Sequence, residues 1–97
     1  MVVEIDGRQI RSEADFHVAI AKALNLPSYY GRNLDALWDT LSADVERPVS
    51  LIWCESSVSQ AEMSESFGRI VEILRKVERQ DVEWDLPETE RFEFVLR

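Results

Sequence analysis

The alternation of apolar and polar residues along the chain predicts three strands separated by helices. The strands are expected at residues 2–6 (VVEID), 49–54 (VSLIWC) and 92–96 (FEFVL). The middle segment is an almost continuous apolar run, which is typical of a strand that is buried on both faces of a parallel sheet. The pattern does not determine the order of the three strands in the sheet.

Apolar residues spaced three and four apart predict three helices. The first covers about 13–25 with Ser12 as its N-cap, and the second covers about 34–45 with Asn33 as its N-cap. A longer helix is predicted at about 65–80, where each of two glutamates precedes a basic residue by four positions. These two pairs, Glu65–Arg69 and Glu72–Lys76, are expected to form ion pairs.

The remaining segments complete the order of the elements. Residues 55–64 are polar and predict a short helix or a loop, whereas Pro87 marks residues 83–90 as a loop. Strands separated by helices favour parallel pairing. The sequence thus predicts an α/β fold in one domain spanning residues 1–97, with a small three-stranded parallel sheet packed with three to four helices.

Composition narrows the range of partners. Nineteen acidic and eleven basic residues give a net charge of −8, which repels nucleic-acid phosphates and anionic membranes and attracts basic proteins. Cys54 is the only cysteine, so no internal disulfide is expected, and its apolar setting predicts a buried, inert thiol. Without a secretion signal or a membrane-spanning run, the expected location is the cytoplasm, with no binding to membranes or directly to nucleic acid.

The segment YYGRNLDALWD, residues 29–39, contains the most unusual local pattern. On a helical wheel Asp35 and Asp39 lie within about 40° of each other and point away from the apolar stripe. Ser42 falls on the same side, and Trp38 lies at the border of the core. Like charges four residues apart cost a few tenths of a kcal/mol, so the pattern is either a solvated helix face or a surface that a partner neutralises.

A catalytic interpretation finds little support in the residue types. His17 is the only histidine and Cys54 the only cysteine, so neither a nucleophile–base pair nor a set of metal ligands can be assembled. His17 flanks the apolar stripe of the first helix and is expected to be structural or solvent-facing. We therefore expect no enzyme activity, no cofactor and no metal.

A binding interpretation uses every residue of the segment. Tyrosine and tryptophan offer large, rigid contact area with a polar tip. A patch of Tyr29, Tyr30 and Trp38 ringed by Asp35 and Asp39 would present a phosphate-like charge to a pocket of arginine, lysine or histidine side chains.

Three segments of the chain resemble a known protein family. IDGRQIRSEADFH (5–17), LPSYYGRNLDALWDTL (26–41) and ERPVSLIW (46–53) resemble the barstar family of intracellular ribonuclease inhibitors. The resemblance implies a compact α/β unit with a three-stranded parallel sheet. It also implies inhibition of guanyl-specific, barnase-like microbial ribonucleases, whose active site is occluded by helix 34–45 and loop 28–33.

The resemblance also implies roles for individual residues. Asp39 would occupy the phosphate-binding site of the enzyme with Asp35 supporting it, and Tyr29 would pack over a catalytic histidine of the target. Gly31 also matches the motif, and Asn33, Leu34 and Trp38 would line the contact. The complete set expected to bind the partner is Tyr29, Tyr30, Gly31, Asn33, Leu34, Asp35, Trp38, Asp39 and Ser42.

The partner implied is a basic extracellular or toxin-type ribonuclease, bound as a 1:1 heterodimer by an inhibitor that is monomeric when free. Its use would be protection against the host's own secreted nuclease or a cognate toxin. The alternative is an acidic immunity or interaction module that binds a basic partner other than a ribonuclease through the same face.

Some positions depart from the family's namesake. It has threonine at the position of Ser42, glycine and tryptophan at the positions of Ala43 and Asp44, and acidic residues at those of Lys76 and Gln80. The changes at Lys76 and Gln80 thus reverse or remove a negative charge on the helix predicted at about 65–80, where the resemblance implies a second region of contact with the target. Seven acids between residues 78 and 93 raise the hypothesis that the 81–90 loop supplies acidic contacts instead, with a merely solvated acidic loop as the alternative.

Overall fold

A three-stranded parallel sheet and four helices make up the fold in a computed structural model that describes residues 1–97. Strands β1 (Val2–Asp6), β2 (Val49–Cys54) and β3 (Phe92–Leu96) lie side by side in that order. Both neighbouring pairs run parallel, as the predicted order of elements requires. The predicted α/β class and all three strand positions are confirmed.

The helices lie between the strands in the predicted order. They are α1 (Glu13–Ala23), α2 (Leu34–Asp39), α3 (Ser56–Met63) and α4 (Glu65–Glu83), with single 3-10 turns at Gly7–Gln9 and Glu88–Glu90. None of them combines the length and the apolar character needed to cross a lipid bilayer.

Two helix ends differ from the prediction because the chain enters the left-handed backbone region there. Helix α1 ends at Ala23 rather than at residue 25, since Asn25 has a φ of 51° and lets the next amide turn back onto the helix. Helix α4 continues beyond residue 80 to Glu83, and Asp85, with a φ of 56°, ends it in the same way.

The second helix changes its geometry halfway. It is α-helical to Asp39 and then forms a π-helical turn over Thr40–Asp44, closed by a 3.1 Å hydrogen bond from the Val45 amide to the Thr40 carbonyl. Leu37 and Leu41 are nevertheless both fully buried. The predicted apolar stripe is therefore correct, whereas a uniform α-helix over 34–45 is not.

Trp53 on the central strand is the centre of the core. Its ring lies 5.1 Å from that of Phe16 on α1 and 5.0 Å from that of Phe67 on α4, measured between centroids. Its indole N–H donates to the Ser59 hydroxyl, so the buried polar atom is satisfied. One side chain of β2 thus joins three helices.

The two faces of the sheet differ in exposure. Ile52 of β2 is 8% exposed, but Glu4 and Val95, its neighbours across the two edge strands, are both exposed. On this face the central strand is therefore shielded by its flanking strands. The prediction of burial on both faces is correct only for this part of β2. Cys54, predicted to be buried, is half-buried at the end of β2.

Side chains of α4 close the outer edge of β3. The Phe92 amide donates to the Asp81 carboxylate at 2.7 Å, and the Phe94 amide donates to the Glu78 carboxylate at 2.8 Å. Arg75 in turn donates to the Phe94 carbonyl at 2.8 Å. Because these three helix positions are three residues apart, they share one face of α4. The edge strand thus has backbone partners outside the sheet.

Asp81 also forms a buried ion pair with Arg47. The guanidinium donates from Nε and Nη2 to the two carboxylate oxygens at 2.9 and 3.1 Å, and from Nη1 to the Val45 carbonyl at 2.8 Å. The side chains of Arg47 and Asp81 are only 12% and 2% exposed. One carboxylate therefore connects the segment before β2, helix α4 and the start of β3.

Replacing Asp81 by asparagine is expected to destabilise the fold. The variant Asp81→Asn leaves a buried guanidinium without its counter-charge, which costs about 3 kcal/mol of unfolding free energy. Chemical denaturation monitored by circular dichroism measures the loss. The control Glu88→Gln removes an exposed acid that forms no ion pair, and should change stability by less than about 0.5 kcal/mol. Equal stabilities for the two variants would contradict the assignment.

Candidate partner-binding site

Asn33 fixes the start of α2. Its side-chain oxygen accepts the Ala36 amide at 2.7 Å, and its side-chain nitrogen donates to the Gly31 carbonyl at 3.3 Å. The predicted N-cap is confirmed. A β-carbon at Gly31 would lie 3.0 Å from that of Ala36, so glycine allows the loop to approach the first turn closely. The Asn33 side chain thus joins loop 28–33 to α2.

Asp35 and Asp39 are both exposed, and neither has an ion-pair partner. The chain's five ion pairs all use other carboxylates. Leu37, between them in the sequence, is fully buried, so α2 is held by its apolar side while its acidic side faces solvent. The first-turn position of Asp35 also favours its negative charge. This surface therefore presents two unneutralised carboxylates on one helix.

The two adjacent tyrosines have opposite environments. Tyr29 is 81% exposed and is available for contact with a partner, whereas Tyr30 is 6% exposed and belongs to the core. The predicted patch of Tyr29, Tyr30 and Trp38 therefore needs correction, because the Tyr30 ring lies inside the protein. Tyr30 instead anchors the loop from which Tyr29 projects.

A buried hydrogen-bond relay holds Tyr30. Its hydroxyl lies 2.7 Å from Nδ1 of His17, and Nε2 of His17 lies 3.1 Å from the Glu13 carboxylate. Because a carboxylate only accepts, Nε2 carries the proton and donates to Glu13. In the neutral ring Nδ1 then accepts the Tyr30 hydroxyl proton. His17, which is 1% exposed, is thus structural, one of the two roles expected for it.

Burial raises the pKa of Tyr30 to about 12. The negative charge of Glu13 acts in the same direction because it opposes formation of a phenolate, while the positive charge of Arg32 acts against it. The buried surroundings of Tyr30 therefore favour the neutral phenol over the phenolate.

Trp38 lies at the border of the core, as predicted, and is half-buried. Lys76 of α4 places its ammonium nitrogen 4.4 Å from the centre of the Trp38 ring. The predicted ion pair between Glu72 and Lys76 is absent, whereas the predicted pair between Glu65 and Arg69 is present at 3.2 Å. Lys76 thus contacts a tryptophan of the candidate site instead of a carboxylate of its own helix.

The other expected contact residues lie on the same segment. Leu34 is half-buried and packs against the core, and Ser42 is half-buried with its hydroxyl 3.5 Å from the Asp39 carbonyl. Gly31 and Asn33 are exposed. The lysine contact has no signal in the sequence, because Trp38 and Lys76 lie on different helices.

The acidic stretch between residues 78 and 93 divides into internal and exposed carboxylates. Glu78 and Asp81 bind backbone amides of β3 and are committed to the fold. The exposed acids of the stretch are Glu83, Asp85, Glu88, Glu90 and Glu93. The hypothesis of acidic contacts from the 81–90 loop therefore cannot include Asp81.

The chain contains no group of three or more histidine, cysteine or carboxylate side chains that could hold a metal ion. The candidate surface combines two exposed carboxylates, an exposed aromatic side chain and a cation at its border.

Comparison with known proteins identifies relatives of this chain. Residues 1–97 match the barstar family, described as barnase inhibitor. A Bacillus subtilis (strain 168) protein named "Putative ribonuclease inhibitor YrdF" is 32% identical over 76 residues, covering 78% of this chain and 84% of that protein.

The raised pKa of Tyr30 predicts a loss of stability at alkaline pH. The pKa of about 12 in the folded protein lies above the ordinary tyrosine value of about 10. The contribution of the neutral Tyr30 phenol to the free energy of unfolding is therefore complete below a pH of about 10, and it is lost as the pH rises to about 12. In Tyr29→Phe, Tyr30 is the only tyrosine. Its ultraviolet phenolate absorbance should have a midpoint near 12 while circular dichroism still reports the fold. A midpoint near 10 in the folded variant would refute the buried relay.

Proposed function

This chain belongs to the barstar family, and we propose that it inhibits a guanyl-specific, barnase-like ribonuclease by occluding the active site of that enzyme. Helix α2 and loop 28–33 would enter the site. The observation that carries the proposal is the pair of exposed carboxylates, Asp35 and Asp39, without ion-pair partners on a helix fixed by its buried side.

The physical basis is the replacement of RNA phosphate by carboxylate. An active site that cleaves RNA binds phosphate with basic side chains, and charge-assisted hydrogen bonds to a carboxylate use the same donors. Asp39 would occupy the phosphate site and Asp35 would bind neighbouring basic groups. The repulsion between the two aspartates in the free inhibitor is then relieved in the complex.

Tyr29 supplies the aromatic contact of this proposal. It is 81% exposed and immediately precedes Tyr30, whose buried side chain anchors this part of the loop. We assign Tyr29 to packing over a catalytic histidine of the target, and Tyr30 to support. Gly31, Asn33, Leu34, Trp38 and Ser42 complete the contact, with Asn33 also holding the loop.

The charge of the chain favours fast association with a basic enzyme. A net charge of −8 raises the association rate with a cationic partner, and the effect weakens as salt screens it. The proposed complex is a 1:1 heterodimer with an extracellular or toxin-type ribonuclease. Its proposed use is protection of the producing cell, with the inhibitor in the cytoplasm and monomeric until the enzyme is met.

Exchange of single aspartates tests this assignment. Asp39→Ala is expected to weaken inhibition of a barnase-type ribonuclease about 100-fold, because a charged hydrogen-bond acceptor is lost from the phosphate site. The control Asp44→Ala removes another exposed, unpaired acid five residues further on and should change the inhibition constant less than about threefold. Steady-state inhibition with a fluorogenic RNA measures both, and thermal unfolding checks that both variants remain folded.

Equal effects of the two substitutions would refute the assignment of the site. Failure to inhibit any of a panel of guanyl-specific ribonucleases, together with tight and Asp39-dependent binding of a basic protein without nuclease activity, would instead support the interaction-module alternative.

A further inference from the structure

A groove beside the acidic face of α2 is lined by two basic residues and one acidic residue. It has a volume of about 330 Å³ and lies between Trp38 of α2 and Trp84 at the end of α4. We name it the Trp38–Trp84 groove. Its lining residues are Trp38, Lys76, Arg79, Gln80, Glu83 and Trp84.

Two cations in this groove form no ion pair. None of the chain's five ion pairs includes Lys76 or Arg79. The Lys76 ammonium instead lies over the Trp38 ring, a contact that leaves its other faces free for a hydrogen-bond acceptor. Glu83 is the one acid among the lining residues, so the groove has a net positive charge in a chain whose net charge is −8. This local excess of positive charge favours an acidic ligand.

Trp84 adds an apolar surface to the same groove. Its side chain is 64% exposed, an unusual environment for the largest aromatic residue, and its backbone amide is bonded to the Gln80 carbonyl. The helix end therefore fixes the base of this side chain. Exposed tryptophans of this kind anchor protein interfaces, since the indole contributes a large contact area at little entropic cost.

The groove continues into the surface proposed to enter the ribonuclease. Trp38 belongs to both, and Trp84 also borders a second cavity of about 450 Å³ that is lined by Ser42 and Ala43 after α2. A partner that contacts Asp35, Asp39 and Trp38 would thus also reach the groove, because the two surfaces are continuous.

We propose that the Trp38–Trp84 groove receives an acidic side chain from the rim of the ribonuclease active site, flanked by an apolar or aromatic residue. This inference rests on the proposed function and names the target more closely. The carboxylate pairs with Lys76 and Arg79, and its apolar neighbour packs on Trp84. The selected ribonuclease therefore has a basic centre and a carboxylate at its rim.

Charge also distinguishes a protein ligand from RNA in this groove. Two cations could bind a phosphate, but the net charge of −8 repels a polyanion as a whole. A single carboxylate on an otherwise basic enzyme meets no such repulsion.

Zero-length cross-linking tests the carboxylate directly. Carbodiimide joins a lysine amine to a carboxylate that is in contact with it, and the chain has only two lysines, Lys22 and Lys76. In a complex with a barnase-type ribonuclease that the protein inhibits, peptide mapping should find Lys76 joined to an aspartate or glutamate of the enzyme. Lys22, exposed on α1, is the internal control. A cross-link only at Lys22, or at neither lysine, would overturn the proposal.

Affinity measurements supply a second test. Lys76→Glu and Trp84→Ala should each weaken binding of the same ribonuclease at least about tenfold, measured as the ratio of dissociation to association rates. The control Val82→Ala alters an exposed apolar residue outside the groove and should leave binding within about twofold. Thermal unfolding of each variant shows that the fold is retained.

The outcomes separate this proposal from the proposed function. If Asp39→Ala abolishes inhibition while Lys76→Glu and Trp84→Ala leave binding unchanged, ribonuclease inhibition stands and the groove proposal fails. If no ribonuclease of the panel is inhibited, the proposed function itself fails. Binding of a short single-stranded RNA that Lys76→Glu abolishes would identify nucleic acid as the ligand and would also refute the groove proposal.

Discussion

The side chains that α4 places along the edge of β3 are the constraint on which the rest of the structure depends. Arg75, Glu78 and Asp81 form hydrogen bonds with three backbone groups of β3, so the long helix is fixed in its rotation about its own axis. The same carboxylate of Asp81 neutralises Arg47 just before the central strand. A parallel sheet of only three strands thus has one edge closed by a helix, through charged hydrogen bonds that are costly to leave unmade in the interior.

Because the rotation of α4 is fixed, the residues on its other side are also fixed in position. With Leu74 and Val77 in the core, Lys76 lies over Trp38. The contact between α2 and α4 therefore combines apolar packing with a cation held against an indole. The groove between Trp38 and Trp84 follows from this geometry.

The two adjacent tyrosines have opposite environments, and the proposed function gives them different roles. Tyr30 is held by His17 and Glu13 in the interior, while Tyr29 remains almost fully exposed. Asn33 then joins the loop to the first turn of α2. A loop restrained at both points loses less conformational entropy when a partner binds. The proposed inhibitor would accordingly enter an active site with its contact surface already ordered.

The sequence by itself determined the strands, the helix starts and the acidic face of α2. Such features depend on residues a few positions apart, as in the Asn33 cap and the separation of Asp35 from Leu37. Only the tertiary structure decided that Tyr30 is internal, that Asp81 neutralises Arg47 and that Lys76 covers Trp38. These pairings join segments far apart in the chain, and a local pattern of apolar and polar residues contains no information about which distant side chains meet.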